Sequence, residues 1–366
     1  MSSLPVPFAD SLVRRVPALA AGALSLILAA CAAGTSPQPI APANATGSLA
    51  PAATATVAPS PSIAPSPAFP VTLTGDDGES ITLAKKPTKI VSLTPAETEI
   101  LYQLGAGDRL VGKVEDVANF PPESSSLPVV GTFSGVDVEK IVGLGTDLVI
   151  AGANGGTQPE AVDKLRSLKV PVLAVYAADV EGVYKDIELT GDAVGEPDGA
   201  DALVTSIRDQ FRQVADATAG ATKPRVFYET GDQPSIFGIA DQSVYAQMIS
   251  LAGGTPITTG SATAWDMPVE KLVQADPQLI ILGDWAYGVT ASAVAKRPGW
   301  AGLTAVKNKA IVGIDDIVVT RPGPRLGNGL FLLAQAIHPE LHLGPAASAG
   351  ASTAPAASAS ASAYGG

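Results

Sequence analysis

Two stretches of fifteen residues, VEKIVGLGTDLVIAG at 138–152 and VEKLVQADPQLIILG at 269–283, say nearly the same thing 131 positions apart. Each begins with an acidic-first helical pattern, passes through a tight turn, and ends in a short apolar run closed by Gly152 or Gly283. Solenoid repeats have periods of about 20–50 residues, so this spacing is too long for one. The pair instead predicts corresponding helix–strand units in two similar lobes. A chain of 366 residues is long enough for this, because single cores stop growing at about 250–300 residues.

Around both copies, strand and helix patterns alternate. KIVSL (89–93), LVGKV, DLVIAG and VPVLAV read as strands separated by the helical PAETEILYQLG, VEKIVGL and PEAVDKLRSLK. After Pro224 the cycle restarts with RVFYETG, SVYAQMISLAGG, VEKLVQA, QLIILG, AIVGID and PRLGNGLFLLAQAI. This is the pattern of an α/β fold: two similar lobes with mostly parallel sheets flanked by helices. Between them lies VEGVYKDIELTGDAVG, a helical stretch broken at Gly195-Glu196-Pro197. The organisation expected is an amino-terminal lobe at 70–177, one long interlobe helix at 178–196 and a carboxyl-terminal lobe at 197–343. VTLTGDDGESITL, turning at Asp-Gly, predicts a hairpin at the start of the body.

The segments outside the body read differently. Arg14 and Arg15 precede PALAAGALSLILAA and then Cys31, which is the single cysteine. Residues 1–31 therefore read as an export signal, whose apolar run (17–30) is too short for a membrane span of about 20 apolar residues. LAAC resembles a bacterial lipobox, which implies lipidation of Cys31 and a place outside the cytoplasm on the cell membrane. Residues 32–69 are almost wholly Ala, Pro, Ser, Thr and Gly, a tether of roughly 35 Å root-mean-square length as a flexible coil. Residues 344–366 form a second low-complexity tail, which reads as disordered.

Charge and composition exclude several functions. A net charge of −12 and a pI of about 4.6 argue against a nucleic-acid partner, which calls for a basic footprint. The two histidines, His338 and His342, sit together near the end of the last helical pattern, leaving no imidazole for a central zinc site or a Ser-His triad. No nucleophile elbow, phosphate loop or zinc signature is present. The chain therefore reads as a binder and not an enzyme. A carboxylate pair such as Asp266 and Asp284 keeps a hydrolase as a remote alternative, and a surface sensor uncoupled from transport is another.

PTKIVSLTPAETEILYQLGAGDRLVG, VGTFSGVDVEKIVGLGTDLVIAG, KPRVFYETG and VTRPGPRLGNGLFLLAQAIHPEL together resemble the substrate-binding proteins of ABC importers for cobalamin, ferric siderophores and haem, whose lobes are bridged by one long helix. The resemblance spans about residues 71–342. SLTPAETE and the Arg321–Arg325 element bring it nearest to the cobalamin binders. It implies a ligand cleft between the lobes and a monomeric receptor that serves an ABC permease dimer with its ATPase. It also implies that Glu139 and Glu270, one acid per lobe, dock onto that permease. Either glutamate would equally complement a helix dipole, and Asp137 and Pro268 read as helix-start residues.

Ligand residues are expected on loops facing the cleft, with aromatics to cover a flat chelate. The candidates are Thr94, Pro95, Phe133 and Asn154 from the first lobe, and Tyr228, Trp265, Trp285, Tyr287 and Arg321 from the second. The 131-residue offset brings Phe133 and Trp265 within one position of each other. Tyr228, inside an apolar strand, also reads as core. Arg321 also reads as a helix-capping residue, and Trp300 reads as packing. No cofactor and no protein-held metal are expected: the ligand itself is a chelate, in the order cobalamin, ferric siderophore, haem. Haem would call on Tyr176, Tyr228 or Tyr287.

Overall fold

The computed structural model describes residues 69–132 and 134–343. A short antiparallel hairpin, β1 (Val71–Thr74) and β2 (Ser80–Leu83), opens the body. The first sheet contains β3 (Ile90–Ser92), β4 (Leu110–Val114), β5 (Val129–Thr132), β6 (Gly135–Val136), β7 (Leu148–Gly152) and β8 (Val172–Val175). Their order is β6-β5-β4-β3-β7-β8, parallel throughout except for the β5–β6 pair. The second sheet contains β9 (Arg225–Glu229), β10 (Thr255–Ile257), β11 (Leu279–Leu282) and β12 (Ile311–Gly313), all parallel in the order β10-β9-β11-β12.

Four strands of one sheet thus repeat the other sheet's plan. In each lobe the first strand has the second on one side and the third, then the fourth, on the other. The duplicated phrase is the third strand of each set with its preceding helix. Leu148 to Ile150 and Ile280 to Ile281 are fully buried, as strands covered by helices on both faces must be. Helices α1 (Pro95–Gln103), α2 (Val138–Gly143) and α3 (Pro159–Ser167) belong to the first lobe. After the long pair α4 (Val180–Val194) and α5 (Pro197–Thr218), the second lobe adds α6 (Val244–Leu251), α7 (Val269–Ala275), α8 (Ala291–Ala295), α9 (Thr304–Lys307), α10 (Asp316–Thr320) and α11 (Leu326–Ile337).

The bridge between the lobes is carried by α4 and α5 together. Asp179 caps α4 by accepting from the Gly182 amide at 2.8 Å. Gly195 ends the helix in the left-handed region (φ 71°), a conformation that costs glycine least. Pro197 then opens α5 without forfeiting a helical hydrogen bond. The chain doubles back, so Tyr184 of α4 meets Phe211 of α5 edge-on, with ring centroids 6.4 Å apart. One large core runs from the first sheet through both long helices to α6 and α11 of the second lobe.

Three acids cluster where α4 lies on the first lobe. Glu97 of α1 is buried, its pKa raised to about 8 by loss of water and only partly offset by the Thr190 hydroxyl that donates to it at 2.9 Å. Asp186 of α4 is raised to about 9, chiefly by burial and then by the charges of Glu97 and Asp76. Both stay protonated in the fold at pH 7, whereas in the unfolded chain they ionise near 4. The folded state therefore binds more protons. The stability that these two groups contribute is fullest below about pH 4 and is lost as pH climbs toward 9. Asp186→Asn removes one of these groups, so it should raise the melting temperature at pH 8 by about 2–4 °C for each kcal/mol recovered. It should also flatten the decline of melting temperature with pH between about 4 and 9, as read by calorimetry.

Candidate functional site at the carboxyl ends of the strands

In parallel sheets, ligands bind outside the carboxyl ends of the strands where the order reverses. Here the reversals lie between β3 and β7 and between β9 and β11. Thr94 and Pro95 follow β3, and Asn154 follows β7. Trp285 and Tyr287 follow β11, while Trp265 lies on the connection after β10. Thr94 caps α1 by accepting from the Glu97 amide at 3.1 Å, and Asn154 is exposed in a turn with φ 51°. Trp285, Tyr287 and Trp265 are 50%, 70% and 38% exposed. Trp265 leans edge-on against Tyr245 of α6, with centroids 5.7 Å apart. Trp285 covers Gly313, where a Cβ would come within 2.6 Å of its ring. Phe133 and Cys31 lie outside the described residues.

Two candidates stand differently from the open aromatics. Tyr228 is fully buried and donates its hydroxyl to Asp316 at 2.7 Å. Burial, followed by the charge of Asp316, drives its pKa far above the ordinary value. Arg321 follows α10 and is claimed by the opposite lobe. It donates to Glu99 of α1 at 2.9 Å and grips Asp116, just past β4, through both terminal nitrogens. Arg325 donates twice to the same Glu99, at 2.7 and 2.8 Å, and lies over the Phe120 ring at 3.9 Å. Asp116 lies just past β4 and Arg321 just past α10, so these contacts tie the first lobe to the second beside the carboxyl end of β4. For Asp116, burial acts to raise the pKa. Hydrogen bonds from Arg321 and from the Phe120 and Ala118 amides outweigh it, and the pKa ends below the usual value.

The second lobe's edge is otherwise acidic. Glu229, fully buried at the end of β9, gives both oxygens to Arg297 at 2.6 and 2.8 Å, and Asp232 takes a third contact at 3.0 Å. Asp284 is buried too, and apart from the neighbouring Glu229 carboxyl neither of its oxygens has a hydrogen-bond partner among the described residues. Gly283 is needed here: a Cβ would come within 2.6 Å of Asp316 and 2.9 Å of the Tyr228 hydroxyl. Trp300 is core, edge-on to Phe227 and under Arg297. The sequence reading passed over Glu99, Asp116 and Arg297. Glu99 was visible as part of SLTPAETE, but nothing local marked it as a partner for residues more than 220 positions away.

The family described as periplasmic binding protein matches residues 90–318. The chain belongs to that family. An ABC transporter substrate-binding lipoprotein of Bacillus subtilis, itself uncharacterised, is 34% identical over 278 residues, covering 74% of this chain and 87% of its own length. A cobalamin-binding protein of Halobacterium salinarum is 30% identical over 281 residues, covering 74% of each chain. The crystal structure of the periplasmic vitamin B12-binding protein of Vibrio cholerae superposes with a TM-score of 0.60 at 26% identity, covering 69% of this chain and 96% of that one. This periplasmic binding protein is accordingly an extracytoplasmic substrate-binding protein of the ABC-importer type, similar to cobalamin-binding and vitamin B12-binding proteins, and is not an enzyme. Among the described residues no helix is long and apolar enough to cross a membrane. No group of three or more His, Cys, Asp or Glu among them is arranged to hold a metal ion.

Removing one partner from a buried ion pair strands the others without compensation, at a cost of about 3–5 kcal/mol. Arg321→Met leaves Asp116 without its counter-ion, held only by the Ala118 and Phe120 amides, and Glu99 with Arg325 alone. It should lower the urea-unfolding free energy by about that much, and Arg321→Lys should lower it less.

Proposed function

We propose that the protein is a lipid-anchored receptor that captures a neutral or zwitterionic metal chelate, cobalamin before any other, and delivers it to an ABC permease dimer with its ATPase. The observation that carries this reading is the charge state of the crevice. Arg321 and Arg325 are already matched to Glu99 and Asp116, and Glu229, Asp232, Asp284 and Asp316 make the facing edge acidic. A ferric siderophore with anionic donors, or haem with its propionates, calls for unpaired cations to receive it. For that reason they rank second and third. A corrinoid instead asks for aromatic area and amide-compatible hydrogen bonds, and Trp265, Trp285 and Tyr287 supply the first. Thr94, Pro95, Phe133 and Asn154 are assigned to the opposite wall. In this reading Tyr228 and Arg321 support the site from behind, through Asp316 and through the interlobe contacts. The cobalamin-binding and vitamin B12-binding names of the relatives support the same choice.

Anchoring through Cys31 and the tether of residues 32–69 is part of this proposal, supported by the LAAC motif and by the lipoprotein name of the Bacillus subtilis relative. So is docking through Glu139 and Glu270. Both occupy the first turn of their helices, both are exposed, and neither makes an ion pair among the described residues.

Titration of the protein with cyanocobalamin, a panel of ferric siderophores and haem, followed by tryptophan quenching, tests the ligand. Saturable quenching by cyanocobalamin is expected, and Trp285→Ala should weaken it roughly tenfold or more, about 1.4 kcal/mol. Saturation by a siderophore or haem alone would reject the assignment. In cells, Glu139→Ala combined with Glu270→Ala should impair uptake of that ligand while its affinity for the isolated receptor stays unchanged. A fall in affinity would place these residues in the fold or the cleft instead.

A further inference from the structure

Beneath the exposed aromatics lies a carboxyl group counted above only as one part of the acidic edge. Asp284 opens the turn bearing Trp285 and Tyr287. Its carbonyl accepts from the Tyr287 amide at 2.9 Å, and the Trp285 carbonyl accepts from Gly288 at 3.0 Å. The side chain is 5% exposed and lies against the Glu229 carboxyl; apart from that acid, neither of its oxygens has a hydrogen-bond partner among the described residues. The groups around it come from several elements. β9 contributes Tyr228 and Glu229, the loop after β9 contributes Asp232, the segment after α8 contributes Arg297, and α10 contributes Asp316 with the exposed Asp315 beside it. The cation among these described residues is Arg297, and it is spent on Glu229 and Asp232. The Tyr228 hydroxyl is likewise spent on Asp316.

A carboxylate placed there has neither a donor nor a counter-ion of its own, and it faces other acids. A neutral carboxyl group fits, because an unpaired buried charge is far costlier than an unpaired buried dipole. We propose that Asp284 is a protonation switch for the aromatic wall of the crevice: neutral, it keeps the Trp285–Tyr287 turn packed against Gly313; ionised, it leaves its buried position and carries that turn outward. Burial, and then the charge of Glu229, raise its pKa to about 7, so the changeover falls within the range that an extracellular medium can span. The wall is closed on the acid side and loosened on the alkaline side. The switch needs no ligand and stands whether or not the chelate is a corrinoid.

The test uses the whole protein without ligand. Tryptophan emission is recorded from about pH 5 to 9 for the wild type, Trp285→Phe and Asp284→Asn. A transition centred near pH 7 is expected in the wild type, and it should be absent in both variants. Persistence of the transition in Asp284→Asn, or its absence in the wild type, would overturn the proposal. A second measurement does not depend on any variant folding. The carboxyl carbon of Asp284 in protein labelled with 13C-aspartate, followed by NMR, should titrate near pH 7. A midpoint near 4, the value of an ordinary aspartate, would overturn the proposal equally.

Discussion

The way the two lobes meet hangs on four side chains that bind one to the other. Arg321 and Arg325 reach across from the second lobe, and Glu99 and Asp116 receive them from the first. Each arginine finds acceptors that match its planar fork, and Phe120 covers the second of them. Water has little access to these groups, so the contact is directional as well as strong. It fixes which loops face which. Apolar burial through α4 and α5 brings the lobes together, but an apolar surface can slide, and this lattice of charges cannot do so without exposing a bare carboxylate. The lobes are therefore joined in two ways: a broad core along the long helices and a narrow polar clasp beside the site.

This division of labour separates what the sequence announced from what it concealed. The duplicated phrase was readable because it repeats both a helical start and a doubly buried strand, and the strand order shows that the likeness extends to four strands in each lobe. The break at Gly195-Glu196-Pro197 was legible for a similar reason, since glycine in the left-handed region and proline at a helix start are local signals. Strands β5, β6 and β10 were not anticipated. β6 has two residues and β10 is Thr-Pro-Ile, and a proline is tolerated in a strand only at an edge, a fact that only the finished sheet discloses.

The site was legible in outline and not in its electrostatics. Loops that follow strands could be picked out one by one, and Trp265, Trp285 and Tyr287 do lie on such loops, open to solvent. The partners of Arg321 could not be picked out, because an ion pair between residues more than 200 positions apart leaves no trace in spacing. Tyr228 shows the same limit: an aromatic within an apolar strand gives no hint of whether its hydroxyl meets solvent, ligand or a buried aspartate. The acidic character of the second lobe's edge follows only from the meeting of β9, β11 and α10, each of which contributes one carboxylate that looks ordinary in its own segment.

The two lobes share four strands, but β5 and β6 have no counterpart beyond β10. A companion built of two equal halves would therefore find agreement at α2 and α7 and disagreement immediately beside them. Such a companion would have two ways to seat this molecule, related by half a turn, and its own symmetry would make them equal in energy. The added ribbon would then decide what each half of the companion meets, not which of the two headings is taken.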